Sequence, residues 1–390
     1  MTATSTPSSS PTSAIEVRDR VRDALSQSHP LRVVGGGTWL DANRPVQADA
    51  TLVMRDVSGI VEYEPGDLTL TARAGTTLDE IARVTAAHGQ WLTLDPYGDS
   101  TRATVGATIA TASYGPLAHH FGTPRDIVLG VEFVTGVGDL VRGGGRVVKN
   151  VAGFDLTRLI TGSWGSLGVI TEVTVRLRAL AAIQATLAID VPGSVEETER
   201  VRSELNRLPF VPLAAELVDS TLAKGLCRDG RGATLLVRLG GNAEAVRTQR
   251  EQLRTVGEVR ELESDVWRRL CSSEPPRAAV VRLSRLPSHF AETWCEAQGI
   301  VERWAGGYCH GDPGRGVVRV VLPTGESTRD DALYAVLGTS GKTTRVYERL
   351  PAALWRALAP GVMRNRIDGE VKATFDPQHV LNPGILGEPQ

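Results

Sequence analysis

The glycine spacing between Val148 and Leu177 constrains the fold of this chain more than any other stretch. Gly162, Gly165 and Gly168 lead directly into an alternating segment. The alternation predicts a strand with one face formed by Val169, Thr171, Val173, Val175 and Leu177. Glycine is used where the backbone adopts φ > 0 or approaches another group closely. The pattern therefore indicates either a backbone surface for a flat ligand, such as an isoalloxazine or adenine ring, or a glycine-rich turn without a ligand.

The amino-acid composition is typical of an ordinary soluble globular protein. The 390 residues are 41% hydrophobic and 23% charged, which allows two domains. A net charge of −2 gives no electrostatic case for nucleic acid or for an anionic membrane surface. No apolar run reaches the length of about 18 residues that a spanning helix needs. We therefore expect no nucleic-acid partner, no direct membrane insertion and a cytoplasmic protein.

Cysteine usage argues against a metal centre. The four cysteines, Cys227, Cys271, Cys295 and Cys309, are widely spaced and form no C-x-x-C motif. A zinc ribbon or an iron–sulfur cluster would need such spacing. Free thiols in a reducing compartment are the expected state.

The distribution of residue types along the chain predicts an α+β protein with two domains. Residues 1–14, rich in Ser, Thr and Pro, are expected to be a disordered leader because they lack the basic and apolar regions of a signal peptide. Residues 15–180 are rich in glycine and open with a helix and a strand, Leu31 to Val34. Residues 181–370 alternate strands with polar helices and predict a separate α+β domain. Residues 371–390 form a tail with two prolines around Asn382.

A second glycine cluster follows the strand Leu31 to Val34. Gly35-Gly36-Gly37-Thr38-Trp39 completes no G-x-G-x-x-G motif, because Leu40 stands where the third glycine would be, and no amphipathic helix follows. A run of backbone N–H groups in such a loop can form an anion nest for a pyrophosphate. The alternative is a turn at a domain edge.

A third zone contains Pro96-Tyr97-Gly98 and then Thr104-Val105-Gly106-Ala107-Thr108. Small residues let a backbone approach a ligand, and Thr hydroxyls can donate to phosphate oxygens. Three such zones are less easily explained as unrelated turns than as the surroundings of one extended dinucleotide.

These segments resemble the FAD-binding oxidoreductases of the vanillyl-alcohol oxidase (PCMH-type) superfamily, and within it the E-type, FAD-binding subunits of glycolate oxidases. The resemblance is dense over the N-terminal half and the tail, and loose between about 180 and 370. It is carried by VVGGGTWLD (Val33 to Asp41), TARAGTTLDEI (Thr71 to Ile81), PYGDSTRATVGATIATASYG (Pro96 to Gly115), the segment Phe121 to Val173, and FDPQHVLNPG (Phe375 to Gly384).

The resemblance implies a PCMH-type, two-subdomain FAD-binding fold with an α+β cap domain, and a tail that returns to the FAD domain. It implies contacts to the FAD pyrophosphate from Gly35 to Trp39 (the first loop), to the flavin from Pro96 to Gly98 and to adenine from Val169 and Ile170. The implied cofactor-binding residues are Gly35, Gly36, Gly37, Thr38, Trp39, Pro96, Tyr97, Gly98, Thr104, Val105, Gly106, Ala107, Thr108, Gly153, Asp155, Gly165, Gly168, Val169, Ile170 and Asn382.

Two departures from the family pattern bear on the cofactor. Relatives that link the flavin covalently through this first loop carry a His where this chain has Thr38, so non-covalent FAD is expected. The usual Gly-Gly after Thr-Val is Gly106-Ala107 here, which adds one methyl group beside the expected phosphate.

A third departure concerns catalysis. Metal-dependent relatives carry two His-containing motifs, whereas this chain has only His310-Gly311-Asp312, with Val317 to Arg319 at the place of the second His. One His cannot hold a divalent metal, so no metal site is expected and no catalytic residue is identified. His310 is expected in a loop or cap, and His119 and His120 on the surface. Arg319 is a candidate for binding a substrate carboxylate.

The resemblance implies flavin-mediated hydride or electron transfer from a small 2-hydroxy acid. We expect the FAD-binding subunit of a glycolate oxidase-like complex, with a catalytic flavoprotein subunit and an iron–sulfur subunit as partners. The alternatives are a stand-alone FAD-dependent dehydrogenase or oxidase of another hydroxy acid or an alcohol, and a non-catalytic FAD-bound assembly subunit.

Overall fold

The computed structural model of the chain describes residues 8–145, 154–227, 232–325, 328–339, 341–359 and 366–387. The elements of the first part are, in chain order, β1 (Ser8–Ser9), α1 (Ala14–Gln27), β2 (Leu31–Val34), β3 (Ala50–Val53), β4 (Ile60–Glu64), β5 (Thr69–Arg73), α2 (Leu78–Ala86), β6 (Gln90–Trp91), α3 (Val105–Thr111), α4 (Ala118–Phe121), α5 (Pro124–Ile127), β7 (Val128–Thr135), β8 (Leu140–Gly144), α6 (Leu156–Ile160), β9 (Gly168–Arg176) and β10 (Arg178–Ala179).

The elements of the second part alternate strands and helices, as the texture of the sequence predicts. They are β11 (Ile183–Val191), α7 (Val195–Arg207), β12 (Ala214–Val218), α8 (Ser220–Leu226), β13 (Ala233–Gly241), α9 (Ala243–Leu253), β14 (Val259–Leu262), α10 (Val266–Cys271), β15 (Ala279–Ser284), α11 (Phe290–Val301), β16 (Tyr308–Asp312), β17 (Val317–Leu322), α12 (Asp330–Leu337), β18 (Thr344–Arg349), α13 (Trp355–Leu358) and α14 (Arg366–Phe375). Short 3-10 helices lie at Met54–Asp56, Pro65–Asp67, Pro287–His289 and Ala352–Leu354.

The first part begins with a small parallel sheet in the order β1-β3-β2, packed on α1. Ser13 accepts a hydrogen bond from the Glu16 N–H and so fixes the start of α1. Ser8 pairs with Thr51 and Ser9 with Leu52. The expectation of a disordered leader is therefore wrong for residues 8–13, because these residues are held by a strand pairing and by a helix cap.

A five-stranded sheet in the order β4-β5-β9-β7-β8 follows. Its central strand β9 is the alternating segment predicted from the sequence, begun one residue earlier, at Gly168. Val173 lies opposite Ala72 on one side and Val131 on the other, and all three are buried. The glycine-rich loop before β9 is thereby anchored to a mostly buried strand at the centre of the sheet.

The second part is built on an eight-stranded antiparallel sheet in the order β14-β11-β13-β12-β16-β17-β15-β18. One face packs on α7, α9 and α11 around Leu217, Val281, Phe290 and Trp294. The opposite face is apolar only in part, around Val218, Tyr308 and Val321, and its remaining area carries charged side chains. The predicted boundary at residue 180 falls between β10 and β11 and stays a prediction.

The C-terminal tail packs on the first part. Leu31 forms a parallel bridge with Leu381 and donates its N–H to the Val380 carbonyl, and the Asn382 N–H donates to the Leu31 carbonyl. The C-terminal tail therefore packs beside β2, although the two segments are distant in sequence. No helix in the described ranges has the length and apolar character needed to cross a membrane.

Candidate functional site

The three glycine-containing zones meet around one cleft of about 1030 Å³, a volume that includes its open mouth. The tail joins them there. The predicted residues that line the cleft are Gly35, Gly37, Thr38, Trp39, Pro96, Tyr97, Thr104, Gly106, Ala107, Thr108, Gly165, Gly168, Val169, Ile170 and Asn382.

Other predicted residues lie near the cleft without lining it. The Gly36 carbonyl accepts from Arg55 and Arg102, and Gly98 donates its N–H to the Cys271 carbonyl. Val105 is fully buried in α3. Asp155 is exposed and caps α6 by accepting from the Arg158 N–H. Gly153 is outside the described residues.

The first loop presents its amides to the cleft. The N–H groups of Gly36, Gly37, Thr38 and Trp39 donate to no acceptor in the described part of the chain. The loop is held instead through the Gly36 carbonyl, 3.0 Å from Arg102 Nη2 and 3.2 Å from Arg55 Nη2. Consecutive amides left free in this way form a concavity suited to an anion.

Ala107, which stands where the family pattern has glycine, packs against Gly35. A Cβ on Gly35 would lie 2.8 Å from the Ala107 Cβ and 2.6 Å from Thr104 Oγ1. Real Cβ atoms do not approach other atoms so closely, so the first loop and the start of α3 touch only because position 35 has no side chain. The additional methyl of Ala107 therefore packs against Gly35.

Aromatic side chains form a wall on one side of the cleft. The rings of Trp39 and Trp164 are 6.2 Å apart, and Trp39 Nε1 donates to the Tyr97 carbonyl at 2.8 Å. These three residues also line a second cavity on the far side of the wall. We refer to Trp39, Tyr97 and Trp164 as the aromatic wall.

Asn382 joins the two walls of the cleft. Its Oδ1 accepts from the Val33 N–H at 2.8 Å and its Nδ2 donates to the Trp164 carbonyl at 2.7 Å. The residue is buried and has a φ of 44°, in the left-handed region that Asn tolerates. Sequence reasoning placed Asn382 at the cofactor through the resemblance, and the structure adds these two backbone contacts.

Behind Asn382, a buried ion pair holds the tail. Lys372 Nζ lies 2.7 Å from Asp376 Oδ2 and donates to the Ser166 carbonyl at 2.7 Å. Asp376 accepts in turn from the N–H groups of Val380 and Leu381. The pair therefore links the tail to the glycine-rich loop before β9.

The second cavity lies between the aromatic wall and the charged face of the eight-stranded sheet. It measures about 2030 Å³ with its open mouth. Arginines outnumber carboxylates in its lining, although the whole chain carries a net charge of −2. The arginines are Arg44, Arg125, Arg282, Arg315, Arg319 and Arg345, and the carboxylates are Glu216, Asp312 and Glu348. A cavity of this charge favours an anionic ligand.

Two of these arginines surround Tyr114. Arg282 Nη1 donates to the Tyr114 hydroxyl at 2.7 Å, and the Arg315 guanidinium lies 4.4 Å from the centre of the Tyr114 ring. Arg282 also pairs with Glu348, whereas Arg315 has no carboxylate partner within the described ranges. Of the two arginines at Tyr114, Arg315 is therefore the one whose charge has no carboxylate partner in the described part of the chain.

Arg319, the sequence-based candidate for binding a substrate carboxylate, is already paired with carboxylates of the protein. It is buried and forms ion pairs with Glu274 and Glu348, and its guanidinium lies 4.5 Å from the centre of the Tyr97 ring. Two carboxylates already neutralise it, so the geometry favours a structural role over carboxylate binding.

His310 is not the loop or cap residue expected from the sequence. It lies on β16, it is 0% exposed, and its Nδ1 is 2.6 Å from Glu216 Oε1 on β12. Burial raises the pKa of Glu216, and the hydrogen bond from His310 opposes that shift. The expectation was wrong because His310, Gly311 and Asp312 continue a strand.

His119 also differs from its prediction. Its side chain is 6% exposed, and its Nδ1 lies 2.8 Å from Asp312 Oδ1. The Asp312 end of β16 covers it, while the neighbouring His120 is exposed as expected. One of the two adjacent histidines is therefore part of the junction between the two parts of the chain.

Sequence reasoning missed Glu216, Arg282 and Tyr114. A signal exists for the first two, because each is a charged residue inside an apolar run: Glu216 in LAAELV and Arg282 in AVVRL. A charge in the middle of a buried strand requires a partner. The partners lie on other strands, and sequence spacing does not identify them.

Comparison with known proteins identifies the fold and the family. A family model described as an FAD binding domain matches residues 9–144. Glycolate oxidase subunit GlcE of Escherichia coli (strain K12) is 35% identical over 66% of this chain and 68% of its own length. The D-lactate dehydrogenase of Archaeoglobus fulgidus is 31% identical over 54% of this chain and 46% of its own length, so the chain spans about half of that relative.

Solved structures agree on the architecture. p-Cresol methylhydroxylase with substrate bound superposes with a TM-score of 0.72 at 16% identity, over 97% of this chain and 88% of that one. An alkyldihydroxyacetonephosphate synthase gives 0.69 at 17% identity, over 96% and 75%. At these identities the likeness shows the fold, and the predicted PCMH-type fold is confirmed.

The fold and the family model define an FAD-binding oxidoreductase of the PCMH type. The chain belongs to the family of these flavoproteins that contains glycolate oxidase subunit GlcE. The residues of the cleft fit FAD: the free amides of Gly36 to Trp39 suit a pyrophosphate, and the contact of Gly35 with α3 leaves the cleft open for an extended ligand.

Proposed function

We propose that this chain is the FAD-binding subunit of a glycolate oxidase-like complex that oxidises a small 2-hydroxy acid. The observation that carries the proposal is the arginine-rich cavity on the far side of the aromatic wall from the FAD cleft. A carboxylate in that cavity would lie within one side-chain layer of the cofactor. The isoalloxazine supplies the hydride acceptor, and the protein supplies binding and orientation.

Arg315 is the proposed anchor for the substrate carboxylate. Its guanidinium face is held by the Tyr114 ring, which leaves its N–H edge for a carboxylate. Arg282 braces Tyr114 from the other side through the hydroxyl. The site is therefore preorganised by aromatic and hydrogen-bonding contacts that precede ligand binding.

Partner subunits are part of the proposal because GlcE is, by its name, a subunit of glycolate oxidase. We propose a catalytic flavoprotein subunit and an iron–sulfur subunit. Affinity purification of the tagged chain from its native cell, followed by mass spectrometry, tests this. Stoichiometric recovery of a flavoprotein and an iron–sulfur protein is expected, and recovery of the chain alone would contradict it.

The FAD is proposed to be non-covalent. Thr38 lines the cleft at the position where a linking His would stand, and the described lining contains neither His nor Cys. After acid precipitation the flavin should be found in the supernatant. Flavin that stays with the pellet would show a covalent link through another residue.

The test of the reaction is anaerobic bleaching of the flavin absorbance. We expect bleaching on addition of glycolate or D-lactate and none on addition of acetate, which lacks the hydroxyl group. A second candidate, the stand-alone dehydrogenase, is favoured by the fact that this chain itself provides Arg315 and a buried His in the cavity. Bleaching by the isolated chain at the rate of the complex would support the second candidate, and bleaching only in the presence of the partner subunits would support the first.

A further inference from the structure

A row of ionisable side chains crosses four strands on the cavity face of the large sheet. His310 on β16 lies opposite Arg319 on β17, which lies opposite Arg282 on β15. Glu216 on β12 extends the row to the other side of His310. The two arginines have carboxylate partners, and Arg282 also braces Tyr114, so their roles are accounted for.

Three atoms of the row, Arg282 Nε, Arg319 Nη2 and His310 Nε2, are buried without a hydrogen-bond partner in the described ranges, and of these only His310 Nε2 can accept a proton. Its Nδ1 is bound to Glu216, while its Nε2 is buried and has no hydrogen-bond partner in the described part of the chain. A buried polar atom without a partner costs about 1–3 kcal/mol. His310 lines the cavity, so a group inside the cavity can supply the missing partner.

The surroundings of His310 favour a proton-accepting Nε2. An ionised Glu216 accepts from Nδ1–H, which leaves the lone pair on Nε2. Burial opposes the ionisation of Glu216, whereas the hydrogen bond from His310 favours it, and the Tyr97 hydroxyl, 3.5 Å from Glu216 Oε1, adds a donor to the same oxygen. The Tyr97 ring lies 5.1 Å from the His310 ring and belongs to the aromatic wall, so the histidine stands beside the side of the cavity that borders the FAD cleft.

We propose that His310 Nε2 accepts the hydroxyl proton of the substrate and that Glu216 is its positioning residue. The proposal rests on the proposed oxidation of a 2-hydroxy acid. The hydroxyl O–H bond breaks and its proton passes to Nε2, while its electron pair forms the C=O bond of the 2-oxo acid. The hydrogen on the carbon would leave as a hydride, for which a bound flavin would supply the acceptor and the oxidant. No metal is needed to acidify the hydroxyl group.

The first test measures flavin reduction by glycolate under anaerobic conditions in a stopped-flow instrument, using the holoprotein with any co-purified subunits. His310→Asn should lower the rate constant by about 10²–10⁴-fold at unchanged FAD content. Glu216→Gln, which keeps an acceptor for Nδ1–H, should lower it by about 10–100-fold. His119→Asn, a change at the His119–Asp312 pair, is the control and should stay within a few-fold. A wild-type rate in His310→Asn would overturn the proposal.

The second test needs no turnover and no variant that must fold. Long-range ¹H–¹⁵N correlation spectra of the imidazole groups report whether Nε2 carries a proton. Glycolate should shift the His310 Nε2 resonance, and acetate, which has the carboxylate alone, should leave it in place. Equal responses to the two ligands would overturn the proposal. If glycolate fails to bleach the flavin, the proposed reaction is contradicted, and these spectra still decide whether His310 contacts a ligand hydroxyl.

Discussion

The FAD cleft and the arginine-rich cavity share the aromatic wall, yet different chemical groups line them. The cleft is formed by main chain and small side chains, with free amides at Gly36 to Trp39 and a close contact at Gly35. The cavity is lined by long charged side chains, in part on strands β12, β15, β16 and β17 and in part, as with Arg315, on the connections between elements. A backbone site fixes the shape of one extended ligand, whereas a side-chain site sets the charge of the molecule that is accepted.

This difference teaches how the two sites can vary. Changing a cleft residue alters where the main chain runs, so it affects the cofactor and the fold together. Changing a cavity residue alters charge on strands that remain in place, because the opposite face of the sheet is held by its own core of Leu217, Val281 and Trp294. Substrate selection can therefore change while cofactor binding is retained.

The largest expected effect is at Gly165 in the cleft. Its φ is +67°, and a Cβ there would lie 2.8 Å from Asn382 Nδ2. Gly165→Val should cost about 1–2 kcal/mol in backbone strain. Because the new side chain also displaces Asn382, we expect FAD affinity to fall by about 100-fold or more. The flavin-to-protein absorbance ratio after desalting measures it. Gly193→Val, at a site with open space, is the control, and equal FAD retention in both variants would contradict a backbone-built cleft.

The second effect is at Asn382, which holds the two walls of the cleft together. Asn382→Ala leaves the Val33 N–H and the Trp164 carbonyl without their partner. We expect about 2–4 kcal/mol of lost stability and a weaker FAD complex, because each unmatched buried group costs about 1–3 kcal/mol. Denaturant unfolding of the apoprotein and FAD titration separate the two losses. Unchanged FAD affinity would show that the walls are held by other contacts.

The cleft was more predictable from the sequence than the cavity. Gly35, Gly37 and Gly165 signal their roles locally, since glycine reports a backbone requirement at its own position. The strand before the first loop and the strand β9 were also predictable from their alternation, to within a residue at each end. These features depend on neighbours in the chain.

The cavity depends on pairings between residues on different strands, and these pairings cannot be read from the sequence. Glu216 meets His310 only because β12 and β16 are adjacent in the sheet, although about 90 residues separate them in the chain. Arg319 was considered free to bind a carboxylate for a similar reason, because its partners Glu274 and Glu348 are also distant from it in the chain. Strand order in a large antiparallel sheet is set by the whole topology and is not encoded in a local motif.

The third prediction tests the cavity side of the comparison. Arg315→Met keeps much of the side-chain volume over Tyr114 and removes the charge that we assign to the substrate carboxylate. The dissociation constant for glycolate, followed by the perturbation of the flavin spectrum, should rise about 10–100-fold, because hydrogen bonds to charged groups contribute about 1.5–3 kcal/mol. FAD content should not change. Arg315→Lys should recover part of the affinity, and Arg356→Met, an exposed arginine outside the cavity, should resemble wild type. A simultaneous loss of FAD would show that the two sites are not separable.

The last prediction concerns the stability of the fold and Asp95, a carboxyl group that lines neither site. Burial raises the pKa of Asp95 to about 7 from a usual value of 3.8; the Leu117 N–H and Arg238 oppose this shift, and Glu216 adds to it. Between about pH 4 and pH 7 the folded protein holds a proton that the unfolded chain has lost. The stability contributed by this group is therefore present at pH 4, declines as the pH rises to about 7, and is constant above that value.

Asp95→Asn keeps an acceptor for the Leu117 N–H and removes the titration. The variant should match wild type near pH 4 and exceed it at pH 8 by at most about 4 kcal/mol, since the shift of the Asp95 pKa spans about three units of about 1.4 kcal/mol each. Urea unfolding at several pH values measures the difference, with the exposed Asp330→Asn as the control. A difference that does not depend on pH would show that Asp95 is ionised in the folded protein. In that case a buried charge, in addition to main chain, would support the segment Pro96 to Gly98 beside the cleft, and the contrast between the two sites would be weaker.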